Sequence, residues 1–183
     1  MMDQSPDDGD AGEALKAFAL KVYGTEGVPP ACLLLQERFG LDVNVLLFAA
    51  FLGAVRGEAL APADLDTVAA TVGDWHREVV RPLRAVRQRL KAGPAPAPDA
   101  ATGLLRGKLQ KLEIEAELIE LAELGHLAAR LGAPVAIGTP EARALAALTM
   151  VAAGSAHRPF KIDERAALAA IATAAAQEGG DPA

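Results

Sequence analysis

Apolar residues recur every three or four positions along most of the chain, which is the spacing of one face of an α-helix. Strand-like alternation is confined to the short segment PVAIG at 134–138. The predicted helical segments are 12–23, 29–39, 43–56, 62–91, 104–131, 139–153 and 163–177. We therefore expect an all-α protein that forms a single compact bundle of about seven helices.

Two of these segments have features that indicate their place in the bundle. Residues 43–56 are apolar on nearly every face, which is typical of a central, buried helix. Segment 62–91 contains Pro82, which removes one backbone hydrogen bond and predicts a kink. The sequence leaves open whether Gly73 and Asp74 break this segment in two.

Chain length and linker composition predict one domain with short tails. A chain of 183 residues is the size of one domain and can bury a core of its own. We expect the bundle to cover residues 13–178, with a linker rich in proline and alanine at 93–103 between two helical halves. The acidic residues 1–12 and the last residues, 179–183, are expected to be disordered.

Composition and charge argue against several classes of function. The chain is 51% hydrophobic and 23% charged, which excludes disorder throughout. A net charge of −6 and 4% aromatic residues argue against nucleic-acid binding. Cys32 is the only cysteine, so no intrachain disulfide can form. The chain shows no secretory signal, and its most apolar run, 43–55, is too short to span a bilayer, so we expect a cytoplasmic protein.

Several spaced motifs are shared with a known group of proteins. ACLLLQ at 31–36, GLDVNVLLF at 40–48, WHREVVRPLR at 75–84 and KLEIEAELIE at 111–120 resemble a small family of uncharacterised bacterial proteins, known only as a domain of unknown function. The resemblance spans residues 13–123 and implies a compact, all-helical, cytoplasmic protein. It implies no activity and no catalytic residue. The alanine-rich helical tail after Pro134 departs from the pattern of that family.

Polar residues near the predicted central helix are the first candidates for a binding site. Asp42 is placed to cap the helix that begins at 43, and Asn44 lies among apolar residues in its first turn. Because a buried amide must hydrogen-bond, Asn44 either braces a neighbouring turn or contacts a ligand. Together with Gln36 and Trp75, these residues could line a pocket between helices.

A basic face is the second candidate. Arg77, Arg81 and Arg84 recur at helical spacing in a segment that holds one acidic residue. This face either binds an anionic partner or lies across from the acidic stripe of Glu113, Glu117 and Glu120. We expect the arginines to point away from the core, because Trp75, Val79, Leu83, Val86 and Leu90 form the apolar stripe of the same segment.

Metal, nucleotide and catalytic motifs are incomplete. Glu123 and His126 form a Glu-x-x-His pair, but di-iron bundles need two such pairs and two further carboxylates. The segment GLLRGKL at 103–109 lacks the spacing of a phosphate-binding loop. The sequence therefore predicts no metal site, no cofactor and no catalytic residue.

Two functions remain open. Oppositely charged helical faces without a catalytic constellation favour a non-catalytic protein-interaction or regulatory module, with a protein partner or a second copy of the chain bound to it. The alternative is an apolar-ligand-binding protein or enzyme with a pocket inside the bundle. A well-formed cavity at Gln36, Asp42, Asn44 and Trp75 would favour the alternative, and a close-packed interior would favour the interaction module.

Overall fold

The computed structural model describes residues 6–179, which fold into seven helices. We name them α1 (Pro6–Gly24), α2 (Val28–Phe39), α3 (Val43–Arg56), α4 (62–89), α5 (Ala100–Leu131), α6 (Pro140–Ser155) and α7 (Ile162–Gly179). No β-strand occurs in residues 6–179, where extended pairing is limited to a bridge between Glu58 and Val135. The predicted all-α bundle is confirmed.

Two helices begin earlier than the sequence predicts. α1 starts at Pro6, so residues 6–12, expected to be a disordered tail, are helical. α5 starts at Ala100, where Asp99 and Thr102 exchange side-chain and backbone hydrogen bonds in a capping box. The connection before α5 therefore spans residues 90–99, earlier in the chain than the predicted linker at 93–103. The remaining parts of the predicted tails, 1–5 and 180–183, lie outside the described residues.

α3 is the central helix, as its apolar sequence predicts. Leu46, Phe48 and Leu52 are fully buried. The last turn of α3, Leu52–Arg56, is π-helical. A Cβ built on Gly53 would lie 2.6 Å from the backbone of Arg143 and Ala144, so only glycine allows α6 to approach α3 so closely.

The N-terminus of α7 is held by a buried carboxylate. Glu164 is fully buried and accepts hydrogen bonds from Arg158, Arg38 of α2 and the backbone N–H of Lys161. These bonds, with Arg158 first among them, lower the pKa of Glu164 to about 2. The ionised side chain therefore ties α2 to the start of α7.

α4 contains a π-helical turn that changes which residues face the core. The turn spans His76–Val80, and the N–H of Arg81 donates to the carbonyl of His76. The wider turn lies directly before Pro82, which cannot donate a backbone hydrogen bond. One extra residue in the turn rotates the following residues by about 100°. Val86, predicted on the buried stripe, is consequently 51% exposed, and the helix passes Gly73 and Asp74 without a break.

None of the described helices is by itself both long and apolar enough to cross a membrane. α2 and α3 are long and apolar enough only when they are taken together, and they are bent by 119° at the break between them.

Candidate functional site

A cleft of about 430 Å³ opens where α5 meets α1, α2, α3 and the second half of α4. Ligand-binding clefts commonly have volumes of about 300–1,000 Å³, so this one could hold a small molecule. Its lining residues are Ala19, Leu20, Tyr23, Leu33, Gln36, Val43, Asn44, Leu47, Arg84, Arg87, Gln88, Gln110, Glu113, Ile114, Glu117, Leu118 and Leu121. The cleft is partly open to solvent.

Most of the cleft wall is apolar, and part of this apolar surface is in water. Leu20 is 61% exposed, Leu33 is 49% exposed and Ile114 is 44% exposed. Beneath them, Leu47 and Leu121 are buried and close the floor of the cleft. Covering such a surface would be favourable by about 25 cal/mol for each Å² of apolar area removed from water.

The polar part of the wall contains neutral amides and ion pairs. Gln36, Asn44, Gln88 and Gln110 contribute the amides. The ion pairs join α4 to α5, because Arg84 donates to Glu113 at 2.9 Å and to Glu117, and Arg87 donates to both oxygens of Glu113. The charges on the wall are therefore largely neutralised by one another.

The basic face is divided between two environments. Arg84 and Arg87 are half-buried against α5 and pair with its acidic stripe, as one of the two sequence interpretations predicted. Arg77 is exposed and pairs with Asp74 and Glu78 on its own helix. Arg81 is exposed and has no ion pair among the residues that the structure describes. Neither Arg77 nor Arg81 lines the cleft.

A buried polar cluster lies beside the cleft. It brings together Asp42 before α3, His76 in the π turn of α4 and Glu120 in the middle of α5. His76 Nδ1 lies 2.9 Å from Asp42 Oδ2 and 3.2 Å from Glu120 Oε2. The Glu120 side chain is fully buried, whereas the side chains of Asp42 and His76 are each 15% exposed.

Asn44 connects the cluster to the cleft. Its backbone N–H donates to Asp42 Oδ1 at 2.9 Å, which confirms Asp42 as the helix cap. Its side-chain Nδ2 donates to Glu120 Oε1 at 3.3 Å and to the carbonyl of Glu117 at 3.2 Å. Asn44 is 8% exposed and also lines the cleft. One residue thus fixes one oxygen of each carboxylate and leaves the other oxygen turned toward His76.

The three side chains shift one another's pKa values. Burial raises the pKa of Glu120 to about 7. Burial alone would lower the pKa of His76, but the hydrogen bonds to Asp42 and Glu120 raise it to about 9. Asp42 loses solvation as well, yet its bond to His76 keeps its pKa below the usual value. Burial therefore favours the protonated form of Glu120, and the two carboxylates favour the protonated form of His76.

The structure brings some of the candidate residues together and separates others. Gln36, Asn44 and Arg84 line the cleft, and Asp42 adjoins it through Asn44. Trp75 does not line it, because its Nε1 donates to the Ala116 carbonyl of α5 at 3.0 Å. Sequence reasoning missed His76 as part of a site. His76 and the acidic stripe were both visible, but their pairing depends on how α4 packs against α5.

Residues 14–124 match the model of a family that is described as a protein of unknown function (DUF2390). This range contains every residue of the cleft and of the buried cluster, whereas α6 and α7 lie beyond it. No curated protein and no solved structure matches the chain.

Proposed function

The chain belongs to the DUF2390 family, whose function is unknown, and we propose that it is a binding protein that holds a small molecule with an apolar body in its cleft. The observation that carries this proposal is the apolar cleft of about 430 Å³ with Gln36 and Asn44 in its wall. A cavity at Gln36, Asp42, Asn44 and Trp75 was expected to favour ligand binding over an interaction module, and the cleft is lined by two of these four residues, Gln36 and Asn44. We therefore place ligand binding ahead of the interaction module.

The wall also indicates the polar character of the ligand. Gln36, Gln88 and Gln110 can donate and accept hydrogen bonds. Asn44 can only accept through its side-chain oxygen, because its Nδ2 already donates to Glu117 and Glu120. The arginines are already paired with Glu113 and Glu117. A strongly anionic ligand would have to compete with these carboxylates for the arginines. An uncharged molecule with a carbonyl, amide or hydroxyl group at one end fits the wall better.

Fluorescence titration with the uncharged apolar dye N-phenyl-1-naphthylamine tests the proposal. We expect one saturable site per chain in the native protein. Leu33→Trp narrows the cleft from an exposed position and should weaken binding by about tenfold or more, equivalent to about 1.4 kcal/mol. Leu112→Trp is the matched control, because Leu112 is also 49% exposed but does not line the cleft. Equal affinities of the two variants would contradict the proposal.

A protein-interaction role is the second candidate, and a separate surface favours it. Leu105, Leu112 and Ile119 are about half exposed and follow one another at seven-residue spacing along α5. This spacing places them on one face of the helix, where apolar residues at heptad positions commonly pack against another helix. A monomer by sedimentation at high protein concentration would argue against self-association through this stripe. We also propose that the protein acts in the cytoplasm, as its sequence predicts.

A further inference from the structure

We propose that Asp42, His76 and Glu120 bind a divalent transition-metal ion such as Zn²⁺ or Mn²⁺. The proposal is independent of ligand binding in the cleft. The proposed ligands differ from Glu123 and His126, whose Glu-x-x-His motif is too incomplete to predict a metal site.

The first argument is the arrangement of the donor atoms. Asp42, His76 and Glu120 each offer one ligand atom, and these three atoms all lie within 4.8 Å of one another. Imidazole nitrogen and carboxylate oxygen are common ligands of Zn²⁺ and Mn²⁺. Distances of 2.9 and 3.2 Å from His76 Nδ1 to the two oxygens are close to the separation of neighbouring ligands around one ion with bonds of about 2.0–2.2 Å.

The second argument is charge. An ionised Asp42, an imidazolium at His76 and a protonated Glu120 together carry no net charge. A divalent cation bound to two carboxylates and a neutral imidazole displaces the protons of His76 and Glu120 and also leaves no net charge. The cation therefore introduces no unbalanced charge into a largely buried cluster, where such a charge would be costly.

The third argument is the support around the ligands. Asn44 holds Asp42 Oδ1 with its backbone and Glu120 Oε1 with its side chain. Metal sites typically fix their ligating carboxylates by such outer hydrogen bonds. The 15% exposure of Asp42 and His76 provides a route for an ion from solvent. Three protein ligands also leave coordination positions open for water or another ligand.

Cobalt(II) is a suitable probe, because its visible absorption reports coordination directly. We expect the chelator-treated protein to bind one Co²⁺ per chain saturably. His76→Gln should weaken binding by at least about tenfold, and Asn44→Ala, which keeps all three ligands, should weaken it by about 10–100-fold. The matched control is His126→Gln, because His126 also lies near a carboxylate, 3.7 Å from Glu123. Its affinity should equal that of the native protein.

A second measurement keeps the test decisive where His76→Gln does not fold. X-ray absorption of Co²⁺ bound to the native protein should show one imidazole nitrogen and otherwise oxygen ligands. Absence of saturable binding, two or more imidazoles at the metal, unchanged affinity in Asn44→Ala, or an equal loss in His126→Gln would each overturn the proposal. Dye binding in the cleft is measured in a separate titration, so either proposal can fail without affecting the test of the other.

Discussion

Replacement of Asn44 by alanine should lower the free energy of unfolding by much more than replacement of an exposed amide side chain does. The side chain donates to the Glu117 carbonyl and to Glu120 Oε1, and Glu120 is fully buried. Asn44→Ala removes both bonds and leaves a buried carboxylate oxygen without its donor. The bond from the backbone of residue 44 to Asp42 remains, so the cap of α3 is preserved.

The expected loss is about 1–3 kcal/mol, because a buried acceptor that loses its partner costs about that much in free energy of unfolding. For a chain of this size, each kcal/mol lowers the melting temperature by about 2–4 °C. Thermal and urea unfolding followed by circular dichroism would measure the change. Gln88→Ala is the matched control, since Gln88 is an exposed amide in the cleft wall and should change stability by no more than about 0.5 kcal/mol. Equal melting of the two variants would refute the role assigned to Asn44.

Three further predictions concern other parts of the fold. Because the pKa of Glu164 is lowered from 4.5 to about 2, its ion pairs stabilise the protein above about pH 4.5, and this contribution is lost as pH falls toward 2. In urea melts, the difference in stability between the native protein and Glu164→Gln should therefore shrink over that pH range. A difference that stays constant would contradict the role of Glu164. Gly53→Ala should cost about 1–3 kcal/mol by overpacking, whereas Gly73→Ala, with nothing within 4 Å, should stabilise the helix by about 0.5–1 kcal/mol in the same assay. Arg84→Glu should destabilise the protein clearly and Arg81→Glu by less than about 0.5 kcal/mol, because Arg84, unlike Arg81, has ion pairs to α5; equal effects would argue against that pairing.

The helices were predictable because each depends on local signals. The apolar residues of α3 predicted its burial, and Asp42 at its start predicted the cap. The isolated position of Asn44 among apolar residues predicted a buried, bonded amide, which the structure confirms. In each case, the information lies within a few residues of the feature.

The π turn of α4 was not predictable from the same signals. A regular period of 3.6 residues puts Val86 on the buried stripe, but the extra residue in the turn rotates Val86 outward and Arg84 toward α5. The buried cluster was missed for a related reason. Asp42, His76 and Glu120 are separated by long stretches of chain, and only the packing of three elements brings them together.

The claim that the cleft binds a small apolar molecule is tested most directly by methyl NMR. Native protein with labelled leucine and isoleucine methyl groups would be titrated with N-phenyl-1-naphthylamine. The account predicts saturable shifts at Leu33, Leu47 and Leu118, which line the cleft, with little change elsewhere. Shifts confined to the exposed stripe of Leu105, Leu112 and Ile119, or no shifts at all, would contradict it.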